Sequence, residues 1–517
     1  MHSRQRCTEV AESVEAAHKK LRTEPKREGG SCGKRERESG TAGSSAGGTH
    51  EVVDDDLDAQ RGVWLARRHC RTDEASAGNP LNRLSYLRSS AAFLASALES
   101  DRARFLTLDS LSPLSVTVDG VRHLHYLSFK DVQEYIGDAR KVFAGVDGKK
   151  DDDVPNLALL GREGQRLGKA TVGDLTQDEK RHYFLNQPAL VFLGVDERSA
   201  PESAKSLPLS KPDENSTLET HSPHGVPYWA LDVSHFADLK ERVQKEDNVR
   251  FMELRSGAQT MPNEEASIAA EARSLVDWNT RNKFCPACAR PIRSVWAGWK
   301  RSCIPGEAGE SGLDGAPTCL SRKGVHNFSY PRTDPVVIMA VLSPDGEKIL
   351  LGRQRSWPAR FYSCLAGFIE SGESLEEAVR REVYEEAGIV IGEVGYHSSQ
   401  PWPFPASLMF GCWGIAKEET DIRVDLDNEL EDARFFTREQ VLNVINSTKP
   451  MQLSREQVAR LDGKEGVSGE GVDAAKAEAR DEGSFLMPPA TAIANTLVTA
   501  WATGKLFNQG PTVPSKM

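Results

Sequence analysis

Three glutamates, Glu382, Glu385 and Glu386, fall within five positions of the stretch ESLEEAVRREVYEEAGI at residues 373–389. On a helix, Glu382 and Glu386 lie one above the other, and Glu385 lies beside them. Like charges placed this way repel one another unless a cation sits between them. Clustered carboxylate oxygens suit a hard ion such as Mg²⁺ or Mn²⁺, which binds substrate phosphates while keeping several waters. The stretch therefore predicts a divalent-metal site that acts on a phosphorylated substrate.

The residues in front of these glutamates indicate where the helix begins. Ser374 has the side chain of an N-cap, and Glu377, three residues later, completes a capping box. The preceding AGFIESGES, residues 366–374, is a glycine-bounded loop that leads into the helix. A helix over 374–387 would therefore aim its carboxylates at whatever the loop holds.

Four of the nine cysteines fall in one window of 35 residues. Cys285 and Cys288 have the C-x₂-C spacing that lets both sulfurs reach one ion, whereas Cys303 and Cys319 are separated by fifteen residues. The window predicts a Cys₄ zinc site in a reducing compartment, with His326 as the alternative fourth ligand. Four protein ligands leave no open position, so we expect this zinc to be structural.

Several parts of the chain lack the pattern of a folded core. Residues 1–76 are rich in Gly, Ser, Glu, Lys and Arg without an apolar period, which predicts a disordered tail. Polar stretches at 197–225 and 460–483 are predicted insertions, and 508–517 is predicted to be a flexible C-terminal tail.

Three regions carry the patterns of folded structure. Residues 77–280 combine buried-strand patterns such as ALVFLGVD, 189–196, with an amphipathic helix over 264–279. Residues 331–507 show a similar mixture, and the cysteine module at 281–330 separates the two. This order predicts an α+β chain with two mixed domains around a small module.

The composition limits the partners of the chain. Its 517 residues carry a net charge of -11, which argues against a protein that binds long nucleic acid through a broad basic face. A short basic groove stays compatible with this charge. No run approaches the roughly 20 apolar residues of a membrane span, so we expect no membrane partner.

The acidic stretch belongs to a longer pattern. Gly367 and Glu373 are separated by five residues, and seven more precede REVYEEAGI at 381–389, which includes the hydrophobic Val383 and Ile389. Taken alone, E-x-x-E-E would be typical of a salt-bridged surface helix. The full pattern resembles the complete box of the Nudix hydrolases. The resemblance implies hydrolysis of a nucleoside diphosphate linked to another group, with a metal that polarises phosphate and activates water.

A second motif, SQPWPFPAS at 399–407, begins ten residues after the box. Two aromatics among three prolines make a stiff extended segment that is suited to stacking planar bases. A proline-rich surface loop with a buried Trp is the simpler alternative. The segment resembles the signature of the NADH pyrophosphatase branch of the Nudix family, and YPRTDPVVIMAV at 330–341 resembles that branch's entry into the Nudix domain.

Together these resemblances predict three structural parts. An N-terminal mixed α/β domain like that of NADH pyrophosphatases occupies 77–280, a small zinc ribbon occupies 281–330, and a C-terminal Nudix α/β/α sandwich occupies 331–507.

The resemblance also implies roles for the acidic residues. Glu382, Glu386 and the more distant Glu429 would hold catalytic Mg²⁺ or Mn²⁺ together with the backbone carbonyl of Ala366. Either Glu385 or Glu429 would position or deprotonate the attacking water.

Two neighbouring residues are predicted to act indirectly. Arg381 would orient the metal-binding carboxylates by bidentate pairing rather than contact the substrate. Glu373, at the entrance of the helix, would be structural rather than a direct metal ligand.

The same resemblance implies a substrate site. Tyr330 and Phe368 correspond to aromatics that sandwich the nicotinamide. The resemblance also implies a homodimer, so Tyr330 would contact the nicotinamide either of its own chain or of the partner. The other implied residues of the dinucleotide site are Gln400, Pro401, Trp402, Pro403, Phe404, Pro405, Ala406, Ser407 and Ala494.

The implied reaction is cleavage of NADH or NAD⁺ at the pyrophosphate to give AMP and NMN or NMNH. One alternative is removal of an NAD cap from the 5′ end of RNA by the same site. Another is a catalytically silent module that binds NAD(H) as a sensor, against which the intact set of glutamates argues.

The last three residues, Ser515, Lys516 and Met517, form a close variant of the S-K-L peroxisomal address. We therefore expect a peroxisomal location in preference to a cytoplasmic one.

Overall fold

The computed structural model of the chain describes residues 78–137, 139–143, 185–200, 225–303, 319, 330–358, 360–446 and 485–507. The two predicted tails, the insertion at 460–483, most of the insertion at 197–225, and His326 lie outside these residues. Within the described ranges, no helix is both long and apolar enough to cross a lipid bilayer.

The first part of the chain alternates strands and helices. Its strands are β1 (Arg104–Asp109), β2 (Ser112–Val118), β3 (Val121–Leu124), β4 (Tyr126–Leu127), β5 (Leu190–Asp196), β6 (Val226–Asp232) and β7 (Val249–Phe251). Its helices are α1 (Ala91–Glu99), α2 (Phe129–Ile136), α3 (Ala139–Val142), α4 (Ala237–Val243), α5 (Leu254–Gly257) and α6 (Asn263–Arg281).

These strands form a mixed sheet in the order β3–β2–β1–β6–β5, in which β4 also pairs with β1 and β7 with β2. Because side chains alternate along a strand, Phe105 of β1 faces one core while Leu106 and Leu108 face the other. Phe93 of α1 packs in the first core, and Ile268 of α6 packs in the second. The sheet is therefore covered by helices on both faces, and we call this part the first sandwich.

A two-stranded hairpin follows the first sandwich. Strand β8 (Ile292–Val295) pairs antiparallel with β9 (Lys300–Cys303). The Asn279 side-chain amide in α6 donates to the Gly298 carbonyl in the hairpin turn at 2.9 Å. Gly298 has a φ of +92°, and a Cβ there would lie 2.7 Å from Val191. This close approach attaches the hairpin to the first sandwich.

The last part of the chain builds a second sandwich. Its strands are β10 (Asp334–Leu342), β11 (Lys348–Gln354), β12 (Leu365–Phe368), β13 (Ile391–Trp402), β14 (Ser407–Ala416) and β15 (Leu430–Thr437). Its helices are α7 (Leu375–Ala387), α8 (Arg438–Ile445) and α9 (Ile493–Ala502).

The strands of the second sandwich form a sheet in the order β13–β14–β10–β11–β15, with β12 paired to β10. Val337 and Met339 of β10 pack with Val383 of α7 on one face. Ile338, between them in sequence, packs with Leu497 of α9 on the opposite face. The predicted α+β fold with a C-terminal α/β/α sandwich is confirmed, whereas the exact domain boundaries stay predictions.

The helices predicted over 264–279 and 374–387 are both confirmed, whereas β13 and α8 were not predicted. The burial of β13 does not alternate, because its register shifts between Ile391 and Val394 and again between Tyr396 and Ser398. Such irregularities remove the period of two by which a strand is found in a sequence.

A buried carboxyl group connects α6 to the start of the described chain. The Asn79 side-chain amide donates to Glu271 Oε2 at 2.7 Å, and Arg83 Nη1 lies 3.0 Å from Glu271 Oε1. Burial raises the pKa of Glu271 to about 7, although the Arg83 charge and the Asn79 hydrogen bond oppose the shift. The folded state therefore holds this proton more tightly than the unfolded chain does.

This carboxyl group predicts a pH-dependent stability. The free energy of unfolding should fall as pH rises from the ordinary glutamate pKa of 4.5 through about 7, because the unfolded chain loses this proton in that range while the folded state keeps it. The fall should be of the order of 3 kcal/mol. Glu271→Gln should abolish it, so this variant should gain stability relative to the wild type between about pH 5 and about pH 8 in urea unfolding.

The control for this experiment is Glu241→Gln, which changes an exposed glutamate in α4. Its stability relative to the wild type should stay constant over the same pH range. A constant difference for Glu271→Gln as well would contradict the prediction.

Candidate active site

Helix α7 begins and ends at the residues that its sequence indicates. The Ser374 side chain accepts a hydrogen bond from the Glu377 N–H, and the Glu377 carboxylate accepts one from the Ser374 N–H, which confirms the capping box. Gly388 ends the helix with a φ of 70°, a left-handed conformation that favours glycine. Val379 and Val383 bury the apolar face against the sheet. The helix is thus fixed at both ends and along one side.

Glu386 is the most deeply buried of the predicted site glutamates, with 2% of its surface exposed. The Ala366 N–H in β12 donates a hydrogen bond to its carboxylate. Burial, followed by the negative charges of Glu429, Glu382 and Asp427, raises the pKa of Glu386 to about 9. An ionised carboxylate at this position therefore needs positive charge beside it.

Glu382 packs against the glycine that begins the sequence box. A Cβ at Gly367 would lie 1.9 Å from the carboxylate carbon of Glu382, so only glycine leaves space for this carboxylate. Burial raises the pKa of Glu382, the Arg381 guanidinium opposes the shift, and the charges of Glu385 and Glu429 add to it.

The guanidinium of Arg381 connects the residues around these carboxylates. Its Nε and Nη2 donate to the two oxygens of Glu373 at 2.6 and 2.8 Å, and they hold the pKa of Glu373 at about 2. Its Nη1 donates to Glu382 Oε1 at 2.9 Å and Glu385 Oε2 at 3.2 Å, and Nη2 also donates to the Phe368 carbonyl at 2.8 Å. The bidentate pair is thus formed with Glu373, and single hydrogen bonds reach the site glutamates.

Glu429 lies just before β15, where the pairing of β11 with β15 brings it to the site. Gln354, at the end of β11, donates to Glu429 Oε1 at 2.9 Å. Burial and the charge of Asp427 raise the pKa of Glu429. No sequence motif identifies Gln354, which reaches Glu429 because it lies opposite Leu430 in the strand pair.

The glutamates influence one another's pKa without forming a compact ligand set. Among the described residues, the only group of three or more His, Cys, Asp or Glu with ligand atoms all within 4.8 Å is a set of cysteines. The mutual repulsion of Glu382, Glu386 and Glu429 favours such spacing. Carboxylate oxygens around a buried acid are nevertheless the ligands that Mg²⁺ and Mn²⁺ prefer, so these residues fit a divalent cation.

An open cleft of about 670 Å³ runs beside the loop that leads into α7. The Phe368 ring lies in its wall with 60% of the residue exposed. Arg332 lines the same cleft and pairs with Asp334 at 2.6 Å. The full lining consists of Arg332, Asp334, Pro335, Phe368, Ile369, Glu370, Ser371 and Glu373. The cleft therefore presents an exposed aromatic ring close to the acidic site.

Gln400 and Ala494, two of the predicted substrate residues, are buried. Gln400 donates to the Thr491 carbonyl and accepts from the Ile493 N–H, both at 2.9 Å, at the start of α9. The Ala494 carbonyl accepts a hydrogen bond from the Cys364 thiol at 3.7 Å. Gln400 thus attaches β13 to α9, and substrate contact by either residue stays a prediction.

The rest of the proline-rich segment turns from β13 into β14. The Trp402 and Phe404 rings meet edge to face, with centroids 5.2 Å apart, and Phe404 packs against a core of the first sandwich. The Asp334 N–H donates to the Ala406 carbonyl at 2.9 Å, so the segment adjoins the cleft. The other predicted residues are exposed Pro401 and Pro405, buried Pro403 and half-buried Ser407.

Tyr330 packs against the hairpin of its own chain. Its ring centroid lies 5.8 Å from that of Trp296, and Lys300 Nζ lies 4.4 Å from the Trp296 ring centroid. A contact between Tyr330 and the nicotinamide, within one chain or across a dimer, stays a prediction.

The four cysteines predicted to bind zinc come together at the hairpin. The sulfurs of Cys285 and Cys319 are 3.6 Å apart, those of Cys288 and Cys303 are 3.4 Å apart, and all four lie within 4.8 Å of one another. A tetrahedral zinc with Zn–S bonds of about 2.3 Å requires sulfurs about 3.8 Å apart. The cluster therefore fits a four-coordinate metal, and the fifteen-residue spacer does not separate its ends.

This fit predicts which residues hold the metal. The purified chain should contain about one zinc per molecule by elemental analysis, and Cys319→Ser should lose it and lower the unfolding temperature by several degrees. His326→Ala and Cys32→Ser, which leave all four cysteines of the cluster unchanged, should keep the zinc. Retention of zinc in Cys319→Ser together with its loss in His326→Ala would show that His326, and not Cys319, is the fourth ligand.

Comparisons with known proteins agree with this geometry. The family described as "NUDIX domain" matches residues 332–459, and "NADH pyrophosphatase-like rudimentary NUDIX domain" matches 122–278. The "NAD-capped RNA hydrolase" of Schizosaccharomyces pombe is 36% identical over 369 residues, which is 71% of this chain and 84% of that protein.

Two human relatives match over shorter shares. The chain is 38% identical over 322 residues to "NAD-capped RNA hydrolase NUDT12", covering 62% of this chain and 58% of that protein. It is 35% identical over 246 residues to "NAD(P)H pyrophosphatase NUDT13, mitochondrial", covering 46% of this chain and 64% of that protein. The chain therefore belongs to the Nudix hydrolase family, within its NADH pyrophosphatase-like group.

Proposed function

We propose that this protein is a divalent-metal-dependent diphosphatase of NAD(H) that releases AMP and NMN or NMNH. The observation that carries the proposal is the buried Glu386 with Glu382 and Glu429 around it, because three repelling carboxylates serve no purpose in a protein that only binds. The adjoining cleft with its exposed Phe368 ring suits a planar base. The names of the relatives, which concern NAD-capped RNA and NAD(P)H, support this substrate class.

Glu382, Glu386 and Glu429 would hold the cation, together with the carbonyl of Ala366. A bound Mg²⁺ or Mn²⁺ would supply positive charge that polarises the phosphate and lowers the pKa of water. The same charge would offset the repulsion that raises the pKa values of these glutamates.

The other residues of the site have separate tasks in the hydrolysis. The oxygen of water forms a bond to one phosphorus while the bridging phosphorus–oxygen bond breaks, and the second phosphate leaves. Glu385 or Glu429, which are both exposed, would accept the proton of the water. Arg381 would keep the carboxylates of Glu382 and Glu385 oriented through the hydrogen bonds already described.

Removal of the NAD cap from RNA is the second candidate for the same site. The cleft is open, and an RNA chain would extend from the adenosine side of the dinucleotide. Hydrolysis would then yield NMN or NMNH and RNA with a 5′ monophosphate. Two of the compared relatives are named for this reaction.

Three predictions from the sequence concern the protein beyond this site. The cysteine cluster would hold a structural Zn²⁺. A homodimer stays a prediction. Peroxisomal delivery also stays a prediction, because Ser515, Lys516 and Met517 lie outside the described residues and one relative is named as mitochondrial.

The proposed reaction predicts a loss of activity in one variant. The full chain with Mg²⁺ or Mn²⁺ should release AMP from NADH, and Glu386→Gln should lower this rate at least about 100-fold because a metal ligand is lost. Glu376→Gln, which changes an exposed glutamate in the first turn of α7, should keep the rate.

Chromatography of the products would separate the remaining candidates. Rapid cleavage of NAD-capped RNA beside slow cleavage of NADH would identify RNA as the substrate. Binding of NADH without cleavage of either NADH or NAD-capped RNA would refute the hydrolase and identify a sensor.

The packing of Gly367 against Glu382 predicts a second loss of activity. Gly367→Ala should displace the flexible Glu382 carboxylate, lower the hydrolysis rate about 100-fold and leave the unfolding temperature nearly unchanged. Gly392→Ala is the control, since a Cβ there meets nothing closer than 3.3 Å. Full activity of Gly367→Ala would show that the position of this carboxylate is not critical.

A further inference from the structure

The proline-rich segment between β13 and β14 has few backbone donors with which to hold its shape. Pro401, Pro403 and Pro405 lack an N–H, so they contribute no donor to the sheet. Within the segment, the Phe404 N–H donates to the Trp402 carbonyl at 2.8 Å. A segment built this way depends on other parts of the protein for its position.

The first sandwich supplies that support through one side chain of α6. Arg273 Nε donates to the Pro403 carbonyl at 2.9 Å, and Arg273 Nη1 donates to the Leu111 carbonyl, between β1 and β2, at 3.2 Å. The same guanidinium lies 5.0 Å from the centroid of the Phe404 ring. A single planar group thus joins a carbonyl of each sandwich and one aromatic ring.

A second arginine of the first sandwich approaches the same aromatic pair. The guanidinium carbon of Arg255, in α5, lies 5.2 Å from the centroid of the Trp402 ring and 5.6 Å from that of Phe404. Both distances are within the range of cation–π attraction. The Phe404 ring also packs against the apolar core that α6 covers. The Pro403 carbonyl and the rings of Trp402 and Phe404 are therefore all contacted by residues of the first sandwich.

We propose that Arg273 is a positioning residue of the substrate site, through which the first sandwich sets the affinity for the dinucleotide. The inference rests on the proposed function, in which residues 400–407 line that site. The hydrogen bond between the Asp334 N–H and the Ala406 carbonyl connects the segment to the cleft that contains Phe368. Displacement of the Pro403 carbonyl would therefore alter the wall that binds the substrate, whereas the glutamates of α7 would keep their positions.

The test compares three variants of the full chain in the steady-state hydrolysis of NADH with Mn²⁺. Arg273→Met should raise KM about tenfold, the expected effect of losing one charge-assisted hydrogen bond, and should leave kcat within about twofold. Arg273→Lys should fall between the wild type and Arg273→Met, because one ammonium can reach the Pro403 carbonyl but cannot also stack on Phe404.

The matched control is Arg281→Met, which removes an arginine from the same helix. Arg281 is exposed and pairs with Asp277 one turn earlier, at 2.7 Å, so its loss should change neither constant. An unchanged KM in Arg273→Met would overturn the inference. The inference would also be overturned if kcat fell equally in Arg273→Met and Arg281→Met and both variants had lower unfolding temperatures. That result would show that the helix has a purely structural role.

A binding measurement separates this inference from the proposed reaction. NADH fluorescence titrations in the Glu386→Gln background should show about tenfold weaker binding when Arg273→Met is added. Normal NADH binding by a wild type that releases no AMP would refute the reaction and leave the inference standing. Equal affinities with and without Arg273→Met would refute the inference whatever the activity.

Discussion

The constraint on which the second sandwich depends is the repulsion between the carboxylates of Glu382, Glu386 and Glu429, of which Glu386 is buried away from water. Burial and the charges of Glu429 and Glu382 raise the pKa of Glu386 to about 9, so this group resists ionisation unless a cation is near. A flexible side chain would relieve the repulsion by turning toward solvent. The capping box and the buried apolar face of α7 fix the backbone that carries Glu382 and Glu386, while Arg381 donates to Glu382 and Gln354 donates to Glu429. The rigid helix and the cation that the glutamates would bind therefore serve the same need, which is to keep repelling carboxylates in place.

In its described residues, the first sandwich repeats the layered design without a comparable cluster of glutamates. Its long helix α6 also carries glutamates, but each is engaged separately. Glu264 pairs with Arg198 at 2.7 Å, Glu265 contacts His123 at 2.9 Å, and Glu271 is buried beside Arg83. Paired acids of this kind stabilise contacts between elements and leave no charge for a metal to neutralise. This arrangement agrees with the match of residues 122–278 to a rudimentary Nudix domain, and it assigns α6 a supporting role.

The features that could be predicted from the sequence are those encoded by residues close together in the chain. The capping box of Ser374 and Glu377 and the helical spacing of the glutamates define α7 within a dozen residues. The cysteines were predictable despite the long spacer, because the cost of closing a loop rises slowly with its length. The contact between Gln354 and Glu429 could not be predicted, because 75 residues separate them and only the register of β11 with β15 joins them.

The proline-rich segment also depends on contacts that its own sequence does not indicate, and these contacts come from the other sandwich. Its composition left open whether its rings stack on a base or pack inside the protein. In the structure both rings are half-buried and meet edge to face, and Phe404 packs against a core of the first sandwich. Arg273, whose guanidinium lies 5.0 Å from the centroid of the Phe404 ring, is 130 residues before Pro403, so the sequence of the segment does not indicate this contact. A segment with three prolines has few backbone donors of its own, and Arg273 of the first sandwich donates a hydrogen bond to its Pro403 carbonyl. Under the proposal for Arg273, the first sandwich would therefore influence what the second sandwich binds.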